Sequence, residues 1–133
     1  MQEVPSGFVC ELASIGFDEA IDRVRAALKV EGFGVLTSIN IRDTFAAKLG
    51  VDFRRYVILG ACNPALAHRG LETEPQMGLL LPCNVVVQET SDGKVSVSII
   101  DPRTMAQLLD NPGLVPMVEE VDRRLRRVMA ALQ

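Results

Sequence analysis

The tripeptide Ser91-Asp92-Gly93, set between two alternating apolar segments, constrains this chain more than any other feature. A three-residue loop with glycine in the left-handed position closes an antiparallel hairpin. Leu79–Thr90 and Lys94–Ile100 therefore become neighbouring strands, with Thr90 opposite Lys94, Val87 opposite Val97 and Val85 opposite Ile99. The two-residue period of a strand then sorts the side chains. Cys83, Val85, Val87, Val95, Val97 and Ile99 share a core face, and Asn84, Val86, Gln88, Ser96 and Ser98 share the other. A doubly wound parallel sheet needs a helical crossover between consecutive strands, so the hairpin excludes it for this pair.

The remaining segments supply strands and helices in turn. Phe8, Cys10 and Leu12 alternate with Val9 and Glu11 in an opening strand within Ser6–Ala13. Phe17, Ala20, Ile21, Val24 and Leu28 recur at helical spacing before Gly32, and Phe33–Ile39 returns as a strand. Asn40 and Asp43 have the spacing of an N-cap and its third helical residue, which predicts a short helix closing at Gly50. The strand Tyr56–Cys62 runs into Asn63-Pro64, an N-cap followed by a first-turn proline, and then a helix over Ala65–Glu72 with Ala67 and Leu71 inward. Asp101-Pro102 repeats that cap chemistry. The last helix, Pro116–Leu132, carries Val118, Val121, Leu125, Val128 and Leu132 on one stripe and an Arg-rich second half, with Glu119 placed to pair with Arg123. These elements predict an α+β fold: a mostly antiparallel sheet of about five strands with two long helices packed on one face. At 133 residues the chain forms one domain, 1–133, with residues 1–5 expected as a loosely ordered tail.

Composition removes several classes of function. With 14 Lys and Arg against 17 Asp and Glu, no Trp and one Tyr, the chain offers neither the positive field nor the stacking surface that nucleic acid requires. The apolar run Met77–Val87 is broken by Pro82 and Asn84 and is far shorter than the roughly 20 residues of a membrane helix, so no membrane span is expected. The N-terminus lacks the charge and apolar core of a secretory signal. Three widely spaced cysteines, Cys10, Cys62 and Cys83, suit reduced thiols and a cytoplasmic protein.

Candidate chemistry gathers in Tyr56–Val87, where two Cys-Asn pairs flank prolines. Cys62 precedes a helix N-terminus, where exposed N–H groups favour a thiolate; the alternative is a small apolar residue ending a buried strand. Asn63 is a cap first and a ligand contact second. Cys83 faces the core, while Asn84 points to the opposite side without a cap to explain it. His68, the single histidine, falls on the polar side of its helix beside Arg69 and Glu72. Cys62, Cys83 and His68 have the ligand types of zinc or copper, but their spacing matches no compact metal motif. The phosphate loop, the G-x-S-x-G elbow and H-E-x-x-H are all absent. No catalytic residue, cofactor or metal site is therefore assigned.

Across ILGACNPALAHRGLETEPQMGLLLPCNVVVQETSDGKVSVSIIDP, and more loosely from FDEAIDRVRAALKVEGFGVL to the terminal helix, the chain resembles the family known as domain of unknown function 302. The resemblance implies a TATA-binding-protein-like architecture, a curved antiparallel sheet backed by helices, and a homodimer. It brings no activity. It carries Asn63, Pro64 and Asp101-Pro102 as family features and Cys62 and Cys83 as features of one branch. The leading expectation is a non-catalytic, homodimeric binding protein. Its pocket would lie near Cys62, Asn63, Cys83, Asn84 and His68 and hold a small-molecule ligand or sulfur species. A thiol- or metal-dependent enzyme using Cys62 and a structural protein–protein interaction module are the alternatives.

Overall fold

The computed structural model describes residues 1–133. Six strands, β1 (Gln2–Val4), β2 (Gly7–Leu12), β3 (Gly34–Asn40), β4 (Tyr56–Cys62), β5 (Cys83–Glu89) and β6 (Val95–Ile100), form one sheet in the order β1-β2-β6-β5-β4-β3, and every neighbouring pair is antiparallel. The hairpin register is the one its loop demands: Val87 pairs with Val97, Val85 pairs with Ile99, and Gly93 has φ +79°. The helices are α1 (Phe17–Val30), α2 (Ile41–Leu49), α3 (Pro64–Thr73), α4 (Arg103–Leu109) and α5 (Val115–Leu132).

The sheet has six strands, one more than the sequence suggests. Gln2–Val4, expected as a loose tail, turns at Pro5-Ser6 and pairs along β2, and Glu3 is fastened from above by Arg126 at 2.9 Å. A second difference lies before β5. Leu79 and Leu80 belong to a 3-10 segment, Pro75–Leu80, and pairing starts only at Cys83 because Pro82 has no N–H to offer a ladder.

The core lies between one sheet face and the two long helices. Phe8, Cys10 and Leu12 of β2, Val57, Leu59 and Ala61 of β4, and the predicted faces of β5 and β6 are all buried. Against them pack Ala20, Val24 and Leu28 of α1 and the stripe Val118, Val121, Leu125, Val128 and Leu132 of α5. Ion pairs then tie α5 to the rest. Glu120, rather than Glu119, accepts from Arg123 and Arg124 at 2.6 and 2.8 Å, because Glu120 leans toward the α1 side of the helix, where Arg124 also reaches the Glu31 carbonyl. Arg127 holds the Glu31 carboxylate at 2.8 Å. Such surface pairs are screened by solvent, so they orient α5 while burial stabilises it.

The opposite sheet face carries a cross-strand row of Val9, Ser98, Val86, Ile58 and Ile39. It ends at β3, an edge strand without a single charged residue, on which Leu36 and Ile39 are 67% and 47% exposed. No helix of the chain is long and apolar enough to cross a membrane.

Candidate functional site

The adjacent ends of β4 and β5 carry the two cysteines. Ala61 lies opposite Cys83 in the register and shares its core face, so Cys62, the next residue, projects from the other side of β4. The chain then leaves the sheet into α3 because Asn63 caps it: its Oδ1 accepts the Leu66 N–H at 3.2 Å and Pro64 opens the first turn. Cys62, Asn63 and Cys83 line one cavity of about 20 Å³ at the junction of β4, β5, α3, α4 and α5. A space of that volume holds about one water-sized particle.

Burial governs the thiols. It pushes the Cys62 thiol above its ordinary value, despite the helix N-terminus that follows. Cys83 is pushed up to about 11, by burial and by the charge that an ionised Cys62 would place beside it. The dipole advantage of α3 is outweighed: Pro64 has no N–H to offer and the Leu66 N–H is engaged by the Asn63 cap, leaving desolvation as the larger effect. Cys10 is buried on β2, away from this cavity, and its thiol is also pushed up by burial.

The other two candidate residues are not part of this group. Asn84 lies one position along from Cys83 and so projects from the opposite, open sheet face, where it is exposed beside Val86 and Ser98 at a shallow concavity. His68 stands on the outer side of α3 and binds Glu72 across one turn at 2.8 Å, with both side chains well exposed. Cys62, Cys83 and His68 therefore form no common ligand set, and no three His, Cys, Asp or Glu side chains are grouped as metal ligands. On α3 itself Leu66 and Gly70 are the buried positions, and Leu71 faces out.

Sequence reasoning missed the methionines. Met77 of the 3-10 segment, Met105 of α4 and Met117 of α5 line the same cavity as the two cysteines, and each is almost wholly buried. Gly70 makes room for two of them. A Cβ there would stand 2.3 Å from Met77 Cε, 2.6 Å from its Sδ and 2.8 Å from Met117 Cε. The three lie on different elements far apart in the chain, so no spacing pattern could have announced them. The only polar side chain in the lining is Asn63. The cavity lining holds no carboxylate, and the one imidazole of the chain is outside it.

A family profile described as Domain of unknown function DUF302 matches residues 9–132. Among solved structures, the chain is similar to the uncharacterized conserved protein DUF302 from Bacillus stearothermophilus. The TM-score is 0.88 at 29% identity, over 98% of this chain and 100% of that one. No curated protein matches the chain significantly.

Proposed function

The chain belongs to the DUF302 family, and from the geometry of its cavity we propose that it is a non-catalytic binding protein that holds a small ligand or a sulfur species at Cys62, Asn63 and Cys83. One observation carries this reading: Cys62, Asn63 and Cys83 line one small, mostly apolar cavity whose lining holds no acid, base or charged side chain. A catalytic cysteine needs its thiolate favoured, and here burial disfavours it for both residues. The occupant is small, because a space of about 20 Å³ admits little more than one heavy atom unless the walls part.

The reading includes a homodimer in the cytoplasm, with the sheet curved around α1 and α5 in the TATA-binding-protein manner. Its support is the β3 edge, whose unpaired backbone groups and exposed Leu36 and Ile39 carry none of the charges or prolines that usually protect an edge. The three free thiols suit a reducing compartment. Asn84 and His68 have no part in the cavity and drop out of the candidate set.

Melting temperatures measured with sulfide, polysulfide and small apolar molecules test the binding reading. A shift that disappears in Cys62→Ser and Cys83→Ser supports it. No shift with any of them, together with rapid alkylation of Cys62 at neutral pH, would return the thiol-enzyme alternative to first place. Sedimentation of the Leu36→Lys and Ile39→Lys variants tests the dimer.

A further inference from the structure

We propose that the open face of the sheet is a docking surface for a second copy of this chain: two molecules stack sheet on sheet, with α1 and α5 outermost on each side. The proposal rests on the homodimer of the preceding reading, names its interface, and is independent of the cavity.

The helices α1 and α5 cover one face of the six strands, and the pairing registers fix what the other face shows. The row through Val9, Ser98, Val86, Ile58 and Ile39 is extended onto β1 by Gln2 and so crosses every strand. A second row runs beside it through Val4, Gly7, Ile100, Asn84, Gly60 and Thr37. Neither row contains a charged residue, and half of their positions are Val or Ile. Protein surfaces are usually about 25–35% charged, and a sheet face turned to water is polar at its outward positions. Charge returns at one border, where Glu11 meets Lys94 at 3.7 Å and Arg54 donates to Gln88 at 2.9 Å. An uncharged centre beside a charged rim is the anatomy of a protein interface.

The polar groups of this face point to a copy of itself. They are the amides of Gln2 and Asn84 and the hydroxyls of Ser98 and Thr37, and each of them both donates and accepts. Groups of that kind satisfy one another across a two-fold axis, where the same patch meets itself. Two chains of net charge −3 also approach here without setting like charges against each other. Nucleic acid would require cations that neither row supplies. Asn84, exposed on its strand with no cap to explain it, thereby gains a partner.

Dimensions agree with a dimer. Strands lie about 4.8 Å apart and residues of one face about 7 Å apart, so the two rows and the border row cover about 500 Å² of each copy. Two such faces bury about 1,000 Å², the size at which specific interfaces begin. The middle strands are β6 and β5, so an axis between Ser98 and Val86 centres one sheet on the other. The β3 edge offers less, because its register slips between Val35 and Thr37 and leaves Leu36 at a bulge, which hinders strand addition. Ile39 belongs to the face, so the edge enters the interface as its margin.

Sedimentation equilibrium and small-angle X-ray scattering of the whole chain test the proposal. A dimer is expected, with the compact profile of two stacked sheets rather than the elongated one of a single sheet continued through β3. Asn84→Asp and Val86→Lys put charge at the middle of the face and should weaken association at least tenfold. Asn84 is exposed in the single copy, so Asn84→Asp leaves the circular dichroism of the fold unchanged and separates lost association from lost folding. Leu36→Lys and Leu79→Lys, at exposed apolar positions outside the two rows, should leave the dimer intact. An elongated profile, or a dimer that survives Asn84→Asp and Val86→Lys, overturns this proposal and leaves the homodimer standing with its interface elsewhere. A chain that stays monomeric at every concentration overturns both.

Discussion

Gly70→Ala sets two opposing effects against each other, and the structure decides between them. In a helix interior, alanine is favoured over glycine by about 1 kcal/mol. The new methyl, however, would sit 2.3 Å from Met77 Cε and 2.6 Å from its Sδ, well inside the roughly 3.5–4.0 Å of a relaxed contact. Met77 is 1% exposed and cannot swing into solvent, so it must repack among its buried neighbours. Overpacking of this kind costs about 1–3 kcal/mol. The expected net effect is a destabilisation of about 1 kcal/mol once the helix gain is subtracted. In a Met77→Ala background, itself destabilised by about 2–5 kcal/mol, the two shortest contacts are gone and only Met117 Cε at 2.8 Å still crowds the new methyl, so Gly70→Ala should cost clearly less than in the wild type. Urea unfolding of the four proteins at constant slope measures both effects. A rise in stability in the wild-type background, or a loss in the Met77→Ala background as large as in the wild type, would refute the packing described for this end of the fold.

Three further outcomes follow from the same geometry. Asp101 is buried, and its carboxylate, held below the ordinary range by the Arg103 guanidinium at 2.6 Å, contributes stability that is present above about pH 4 and is lost as pH falls toward its folded value. Urea midpoints measured from neutral to acid pH should therefore drop less steeply for Asp101→Asn; equal slopes would mean that the pair does not matter, since Glu120, lowered to about 2 by Arg124 and Arg123, acts alike in both proteins. Iodoacetamide should label Cys62 first, at a rate still climbing above pH 9, and leave Cys83 and Cys10 untouched until denaturation; a plateau for Cys62 near neutrality contradicts the burial argument. Asn63→Ala removes the cap from Leu66 N–H and should cost about 1 kcal/mol, with Asn63→Asp recovering part of it in the same unfolding assay.

Most of the framework was legible because it rests on short-range rules. The β5–β6 register follows from one glycine and a period of two, and the starts of α2 and α3 follow from Asn40 and Asn63 accepting the N–H groups three residues on. The nearness of Cys62 and Cys83 along neighbouring strands could be anticipated because one closes β4 and the other opens β5 within a single segment. What escaped depends on distant parts of the chain. Gln2–Val4 is too short to declare itself as a strand and is ordered by β2 and by Arg126. Leu79-Leu80 looks like strand sequence, yet Pro75 and Pro82 on either side leave it outside the ladder. Met77, Met105 and Met117 are ordinary apolar residues on their own elements, and their common destination exists only once α4 and α5 have docked.

The placement of α5 has a consequence for synthesis on the ribosome. The first long helix stays uncovered until the last one arrives: Glu31 finds Arg124 and Arg127, β2 closes on β6, and Glu3 meets Arg126, which stands 123 residues further on. A nascent chain in which α5 has not yet emerged thus displays the inner surface of its sheet to the surroundings, and the core closes only once that helix has docked.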